Sequence, residues 1–382
     1  MSDRIQNSTQ ISERKTALVL SGGGSRGAYQ CGVWQALTEL GIKIDIVVGV
    51  SVGAVNGVMV VQGDAVKTAG LWREMETDMV FDVEEGAQLQ DFAKAFFVSQ
   101  GAGSTGMQAL LSEYVDEDAV RKSPVDFGLV TVEVPSMRAH YLWKEDIPKG
   151  QLCDYITASA SAFPAVHAAE IDGRYFIDGG YEDNLPVTMA LEKGATEVIA
   201  VYLDAVGRFK PSELKEVPNL TFIESKWNLG DFLVFDIANA KRILRLGYLD
   251  AMKTYGIYDG FYYTFAKDIF DKRTLKQADH AARIFKLDPL ILYRRDYFEE
   301  ELKKAVEKTK SERGGSFEIS DLTSLSKIKE LMKLAEKTGI TLYIAESLRQ
   351  KGQESFFLTR YVSRLLREEV SAAKLLVKWN LV

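Results

Sequence analysis

The chain predicts an α/β fold, because two glycine-rich turns each follow an apolar run and open a helical stretch, and apolar strands return further along. The first turn is Gly22-Gly23-Gly24-Ser25-Arg26-Gly27 after Thr16–Leu20. The second is Gly49-Val50-Ser51-Val52-Gly53 after Ile44–Val48, with a helix expected from about Ala54 to Val61. Later strands are expected at Gly128–Val134, Ala139–Trp143, Tyr175–Asp178 and Glu197–Leu203, and residues 66–125 read as mainly helical.

The second turn carries chemistry. A serine on a sharp strand-to-helix bend has crowded neighbours, so Gly49 and Gly53 keep Cβ atoms away while the Ser51 hydroxyl projects outward. Ser51 is therefore the candidate nucleophile. The N-terminal end of the following helix favours developing negative charge there. The earlier loop complements it, since consecutive glycines can turn several N–H groups toward one point; Gly23 and Gly24 are read as the main oxyanion donors. Taken alone, Gly-x-Ser-x-Gly also fits an ordinary turn.

Gly-x-Gly-x-x-Gly between a strand and a helix is also the dinucleotide-binding fingerprint, which needs an acid about 20 residues on, at the end of the second strand. Asp45 has about that spacing but stands at the beginning of its strand, and the required place is occupied by the serine turn.

A general base is the missing part. The three histidines, His140, His167 and His280, sit beside neither glycine turn and read as structural or surface residues. The stronger candidate is Asp178, where Tyr175-Phe176-Ile177 ends in a carboxylate followed by Gly179 and Gly180. Taken alone that pattern fits an Asp-Gly hairpin turn equally well. An aspartate hydrogen-bonded to Ser51 can take its proton and return it to a leaving alcohol, provided burial raises its basicity above the ordinary value of about 3.9.

With these motifs the chain resembles the patatin-like acyl hydrolases, which include plant patatins and bacterial and animal phospholipases. Gly22 to Gly27 corresponds to the oxyanion loop, Gly49-Val50-Ser51-Val52-Gly53 to the nucleophile elbow, and Asp178-Gly179-Gly180 to the aspartate motif. Ala158-Ser159-Ala160-Ser161-Ala162-Phe163-Pro164 and Asn184-Leu185-Pro186 are typical neighbours of the last motif, and the likeness runs from about Lys15 to Phe265. The resemblance implies a mostly parallel central sheet flanked by helices, a Ser51–Asp178 dyad without histidine, and no cofactor or metal. Arg26 fills a place that is often basic in the family, where it holds the loop, meets an anionic head group or makes a surface ion pair. A conventional α/β-hydrolase, with His280 as third member, is the alternative enzyme reading.

The implied activity is a serine lipid acyl hydrolase of phospholipase A, lysophospholipase or esterase type, cleaving fatty-acyl esters through an acyl-enzyme. Its counterpart is a non-catalytic lipid- or protein-binding module that keeps the fold; the intact reacting residues favour the enzyme. Acyl length, head group and oligomeric state are not encoded in any motif.

Composition agrees. The 382 residues, 46% hydrophobic and 26% charged, suffice for one large domain and an appendage. No signal peptide is read in the polar start, and Asp45, Ser51, Asn56 and glycines interrupt the apolar stretch Ile44–Val61, which argues against a membrane span. Two lone cysteines, Cys31 and Cys153, suit a reducing compartment, so a cytoplasmic location is expected.

The expected organisation is a polar tail over 1–14, a catalytic domain over 15–265 and a mainly helical region over 266–382. Gln100 to Gly106 reads as a flexible break, either a simple loop or a lid hinge. Aromatics between Phe222 and Phe265 read as core, with acyl-site lining as the alternative. From Asp271 to Val382 there are 23 Lys and Arg against 17 Asp and Glu, whereas the rest of the chain carries a balance of −13. Helices are expected at Tyr297–Lys310, Ser324–Lys337 and Phe356–Trp379, with a linker at Gly314-Gly315 and a stop at Gly339. The last helix either packs on the rest of the protein or lies on an anionic membrane as a peripheral contact. Nucleic acid is not an expected partner at a net charge of −7 without a recognition motif.

Overall fold

The computed structural model describes residues 14–85, 88, 90–92, 94, 101–312 and 336–382. Residues 1–13 of the expected tail, the Gly314-Gly315 linker and residues 324–335 of an expected helix lie outside the described residues. The chain divides into two compact units, Met1–Ala251 and Met252–Val382, ahead of the change of composition read near Phe265.

The first unit is built on an eight-stranded sheet. Its strands are β1 (Thr16–Leu20), β2 (Ile46–Val50), β3 (Asp126–Val134), β4 (Arg138–Trp143), β5 (Ala169–Ile171), β6 (Arg174–Asp178), β7 (Glu197–Tyr202) and β8 (Leu220–Glu224). Five run parallel in the order β3-β2-β1-β7-β8, and β4, β5 and β6 extend the sheet antiparallel from β3. Every residue of β1 and β2 is buried, because helices cover both faces of a parallel sheet; that is why these strands read as unbroken apolar runs. Ala17, Val19, Ile46, Val48 and Val50 pack on Leu185, Val187 and Met189 in one such layer.

The registers bring the functional turns together. Over Gly128–Val130, β3 pairs with β2 on one edge and β4 on the other; over Thr131–Glu133 it pairs with β4 and β6. β6 therefore occupies the same edge as β2, entering from the opposite end. Val50 faces Val130 and Asp178 faces Thr131, so the strands that carry Ser51 and Asp178 meet head to head. The first turn leaves β1 beside β2, with Leu20 opposite Gly49. The sequence order also reverses at β1, which has β2 on one side and β7 on the other, and the carboxyl ends of strands at such a point are where α/β sheets open a crevice.

Two expectations change in this unit. The second strand is Ile46–Val50 rather than Ile44–Val48, so it runs straight into the elbow, and the helix that follows, Val52–Gln62, begins at Val52 rather than Ala54. The stretch Gly101–Gly106 is not a free break: Ala102 bridges Val166, its N–H donates to Ala165 O, and Thr105 already starts the helix Thr105–Tyr114.

The second unit holds the helices Lys272–Ile284, Arg295–Glu312, Lys337–Lys351, Arg360–Leu365 and Arg367–Lys378. Gly339 is a correction, for it lies in the first turn of Lys337–Lys351, whose face from Ile340 to Leu348 is mostly buried; burial outweighs the cost of one glycine. The expected single helix Phe356–Trp379 is broken at Thr359 and again at Leu366, which has left helical geometry. Its apolar residues Leu375 and Leu376 are fully buried, and its last segment packs on Lys272–Ile284 and Lys337–Lys351. Trp379 joins a ring cluster with Phe270 and Phe298. Among the described residues no helix is long and apolar enough to cross a membrane.

Candidate active site

Ser51 sits between β2 and α2 (Val52–Gln62) with φ 55° and ψ −130°, a conformation that costs an L-residue on the order of 1–3 kcal/mol. Contacts on both sides hold it there. Its N–H donates to Ser159 Oγ (3.0 Å), and that hydroxyl donates to Val130 O (2.6 Å). Its carbonyl accepts from Ala54 N (2.8 Å), starting α2. A Cβ at Gly49 would lie 2.1 Å from Gly53 O, and one at Gly53 2.2 Å from Leu20 O, so the elbow closes only because both positions lack a side chain.

Asp178 ends β6 and is buried. Its carboxylate accepts a hydrogen bond from Gly180 N (2.7 Å), and the Ser51 hydroxyl stands close enough to it to lower its pKa. Burial pushes its pKa up to about 6, and these two neighbours only partly oppose that shift. The result is a buried carboxyl of raised pKa beside the Ser51 hydroxyl.

The glycine loop meets them from β1. Four of its N–H groups are already used: Gly22 donates to Asn184 Oδ1 (3.1 Å), Ser25 to Phe232 O (2.8 Å), Arg26 to Gly23 O (3.2 Å) and Gly27 to Gly24 O. Among the described residues, the N–H groups of Gly23 and Gly24 have no protein partner, which leaves them free to meet a ligand. The loop is clamped to three successive carbonyls: Arg26 Nε donates to Gly230 O (2.8 Å), Ser25 Oγ to Asp231 O (2.6 Å) and Ser25 N to Phe232 O. Arg26 also donates to Leu203 O and Asp204 O, so of its three expected roles the structure displays that of holding the loop.

These groups open into a cavity of about 660 Å³, lined by Gly22, Gly23, Gly24, Ser51 and Asp178 and otherwise largely by apolar side chains, among them Met59, Trp72, Met107 and Leu111. Phe232 and Phe235 line it as well, whereas Phe222 packs with the sheet core, so the Phe222–Phe265 aromatics divide between the two expected uses.

Other candidates fall elsewhere. Asp45 accepts from Thr16 N (3.1 Å) at the start of β1, the end of the sheet away from the glycine loop, and so cannot read a ribose there. None of the three histidines lines the cavity. His140 pairs with Glu133 (2.9 Å) across β3 and β4, and His280 lies on the helix Lys272–Ile284 of the second unit. Among the described residues no His, Cys, Asp and Glu cluster is arranged to hold a metal.

Sequence reasoning missed several supports. Ser159 belongs to the Ala158–Pro164 motif without a role of its own there, and only the registers show its hydroxyl beneath the elbow. Asn56 is a buried polar residue inside apolar α2; its amide donates to Gly27 O and Gln30 Oε1 and accepts from Trp72 Nε1, tying α1 (Gly27–Glu39), α2 and α3 (Ala65–Trp72) together. An asparagine inside an apolar helix was the available signal, since a buried amide needs partners.

Fold and site together define an α/β protein with a serine on a nucleophile elbow, a buried aspartate beside it and a glycine loop with free N–H groups. Residues 18–191, just under half of the chain, match the family model described as Patatin-like phospholipase. It is 30% identical over 193 residues to "Patatin-like phospholipase domain-containing protein 7" of Rattus norvegicus, covering 48% of this chain and 13% of that protein. It is 29% identical over 231 residues to "Lysophospholipase NTE1" of Saccharomyces cerevisiae, covering 57% of this chain and 12% of that protein. The match therefore spans only a small part of either relative. The solved structure of VipD from Legionella pneumophila aligns over 97% of this chain and 92% of that one, at 13% identity and a TM-score of 0.40.

Proposed function

We propose that this chain is a serine lipid acyl hydrolase, cleaving fatty-acyl esters as a phospholipase A, lysophospholipase or related esterase. The observation that carries the reading is the Ser51 hydroxyl beside a buried Asp178 of raised pKa, at the wall of an apolar cavity with two free backbone donors. The Ser51 oxygen attacks the ester carbonyl carbon while Asp178 takes the hydroxyl proton. The Gly23 and Gly24 N–H groups meet the oxygen as it becomes an anion. Collapse breaks the bond to the leaving alcohol, which receives the proton from Asp178. Water then attacks the acyl-serine, losing a proton to Asp178; when the acid leaves, that proton returns to Ser51. Met59, Met107 and Leu111 supply the apolar walls that suit an acyl chain, and the relative named as a lysophospholipase supports a lipid ester over a small one.

The direct test is intact-mass labelling by a fluorophosphonate. One adduct is expected on Ser51, absent in Ser51→Ala and much slower in Asp178→Asn. A folded wild-type protein that takes no label would overturn the reading.

Lipid contact is proposed at the cavity's rim, where Val206 is 83% exposed and Phe163 and Tyr181 are also exposed, their chains linked by a Tyr181 hydroxyl to Phe163 O hydrogen bond. Val206→Asp is expected to lower hydrolysis of vesicle-borne phospholipid at least several-fold while sparing a soluble short-chain ester. Equal loss on both substrates would argue against a rim contact.

A further inference from the structure

The strongest polar irregularity of the site lies outside the three motifs, at Asn184. This side chain is buried to 1% exposure, lines the cavity and sits among three turns. A Cβ at Gly22 would lie 2.5 Å from its Oδ1, one at Gly180 2.9 Å from the same atom, and one at Gly207 2.8 Å from its Cγ. Three glycines thus give way to one amide, and each belongs to a different stretch of chain: the oxyanion loop, the aspartate turn and the segment after β7.

The orientation of the amide is set by its partner. Gly22 N–H can only donate, so the atom 3.1 Å from it must be the oxygen, and the nitrogen must point the other way. That nitrogen is buried with no partner among the described residues. Leaving a buried donor unmade costs about 1–3 kcal/mol, so packing alone would favour another side chain here. The backbone adds a second tie: Asn184 N donates to Arg208 O (2.9 Å) and Arg208 N to Gly180 O (2.7 Å), fastening the stretch around Asn184 to the aspartate turn.

We infer that Asn184 is the positioning residue that sets the oxyanion loop against the Ser51–Asp178 pair. Its oxygen captures the Gly22 N–H and so fixes the orientation of the peptide that precedes the free donors of Gly23 and Gly24. Its backbone is anchored to the turn that carries the base. The same peptide lies against the nucleophile, since a Cβ at Gly22 would stand 3.1 Å from Ser51 Cβ. One amide therefore couples the spacing of donors, nucleophile and base.

This inference rests on the acyl-transfer reading and is separable from it, because wild-type labelling by fluorophosphonate tests that reading alone. The test of Asn184 uses the full chain and a soluble ester, over pH 4–9, with two variants. Asn184→Ala removes the Gly22 acceptor, and kcat on the plateau is expected to fall about 10–100-fold, with KM within about threefold and the acid limb unmoved. Asn184→Asp keeps an acceptor for Gly22 but adds a buried carboxylate close to Asp178, so its acid limb is expected to move upward while the high-pH plateau stays within about tenfold of wild type. A residue that only filled space would gain nothing from a restored acceptor, so Asn184→Asp, with a buried charge added, would lose at least as much plateau activity as Asn184→Ala. Wild-type kcat in a folded Asn184→Ala, or a high-pH plateau in Asn184→Asp more than about 10-fold below wild type, would overturn the inference. If Asn184→Ala fails to fold, the high-pH plateau of Asn184→Asp still decides.

Discussion

Replacing Asp178 by asparagine is expected to lower turnover by about 10³–10⁴-fold while making the protein more stable at pH 8. Both effects come from the same carboxylate. Asparagine can still accept the Gly180 N–H, but it cannot take a proton from Ser51. Ser51→Ala is expected to lose activity to a similar extent, and the double variant to be little worse than either, since the two act as one unit. The stability gain stems from the raised pKa. Between the ordinary carboxyl value of 3.8 and the native value of about 6, the folded protein binds more protons at this site than the unfolded chain, so this group's contribution to stability falls as pH rises through that window. Above it the ionised group costs up to about 3 kcal/mol, at about 1.4 kcal/mol per pKa unit. Urea denaturation at pH 4 and pH 8 should show a gain for Asp178→Asn at the higher pH only.

The catalytic consequence has the opposite sense. Only ionised Asp178 can act as base, so kcat/KM is expected to rise with pH and level off above an apparent pKa of about 6. An unburied aspartate would put that limb near 4. A limb near 4, or an Asp178→Asn variant within tenfold of wild type, would remove Asp178 from the reaction.

Much of the site is legible in the sequence because its turns are made of residues that can do little else. Gly49, Gly53 and the glycine loop announce close backbone approach, and the all-apolar strands before them announce a sheet covered on both faces. What the sequence does not carry is the head-to-head meeting of β2 and β6, which depends on the register of both against β3, a strand 75 residues and more downstream of Ser51. The roles of Ser159, Asn184 and the carbonyls of 230–232 escape for the same reason: each acts through contacts set by tertiary pairing, so even the two that belong to quoted motifs carry no local sign of what they hold. The C-terminal region shows the reverse problem. Its periodicity finds apolar helices, but whether Leu375 and Leu376 meet lipid or protein is decided by neighbours, here the helices Lys272–Ile284 and Lys337–Lys351. Gly339 misleads because a glycine near a helix start and one past a helix end look alike until the burial of Ile340 to Leu348 tells them apart.

Gly24→Ala is expected to cost about 10²–10³ in kcat, the loss typical of removing an oxyanion donor. Gly24 has φ +55°, which alanine tolerates at a cost of about 1 kcal/mol, so strain alone would be modest. Space is the larger obstacle. A Cβ there would lie 1.9 Å from Phe232 O, the carbonyl that accepts the Ser25 N–H and anchors the loop. The backbone must shift to admit the methyl group, and both the anchor and the Gly24 donor move with it. Gly41→Ala is the matched control: its φ is +68°, but nothing stands within 4 Å of the new Cβ. That variant should pay a similar backbone cost and keep its kcat. The two are compared by kcat on a soluble ester, by fluorophosphonate labelling rate and by thermal midpoint. If Gly24→Ala folds and labels Ser51 at the wild-type rate, the free N–H groups of this loop do not stabilise the transition state, and the oxyanion site must lie instead at the N-terminus of α2, where Ser51 already begins the helix.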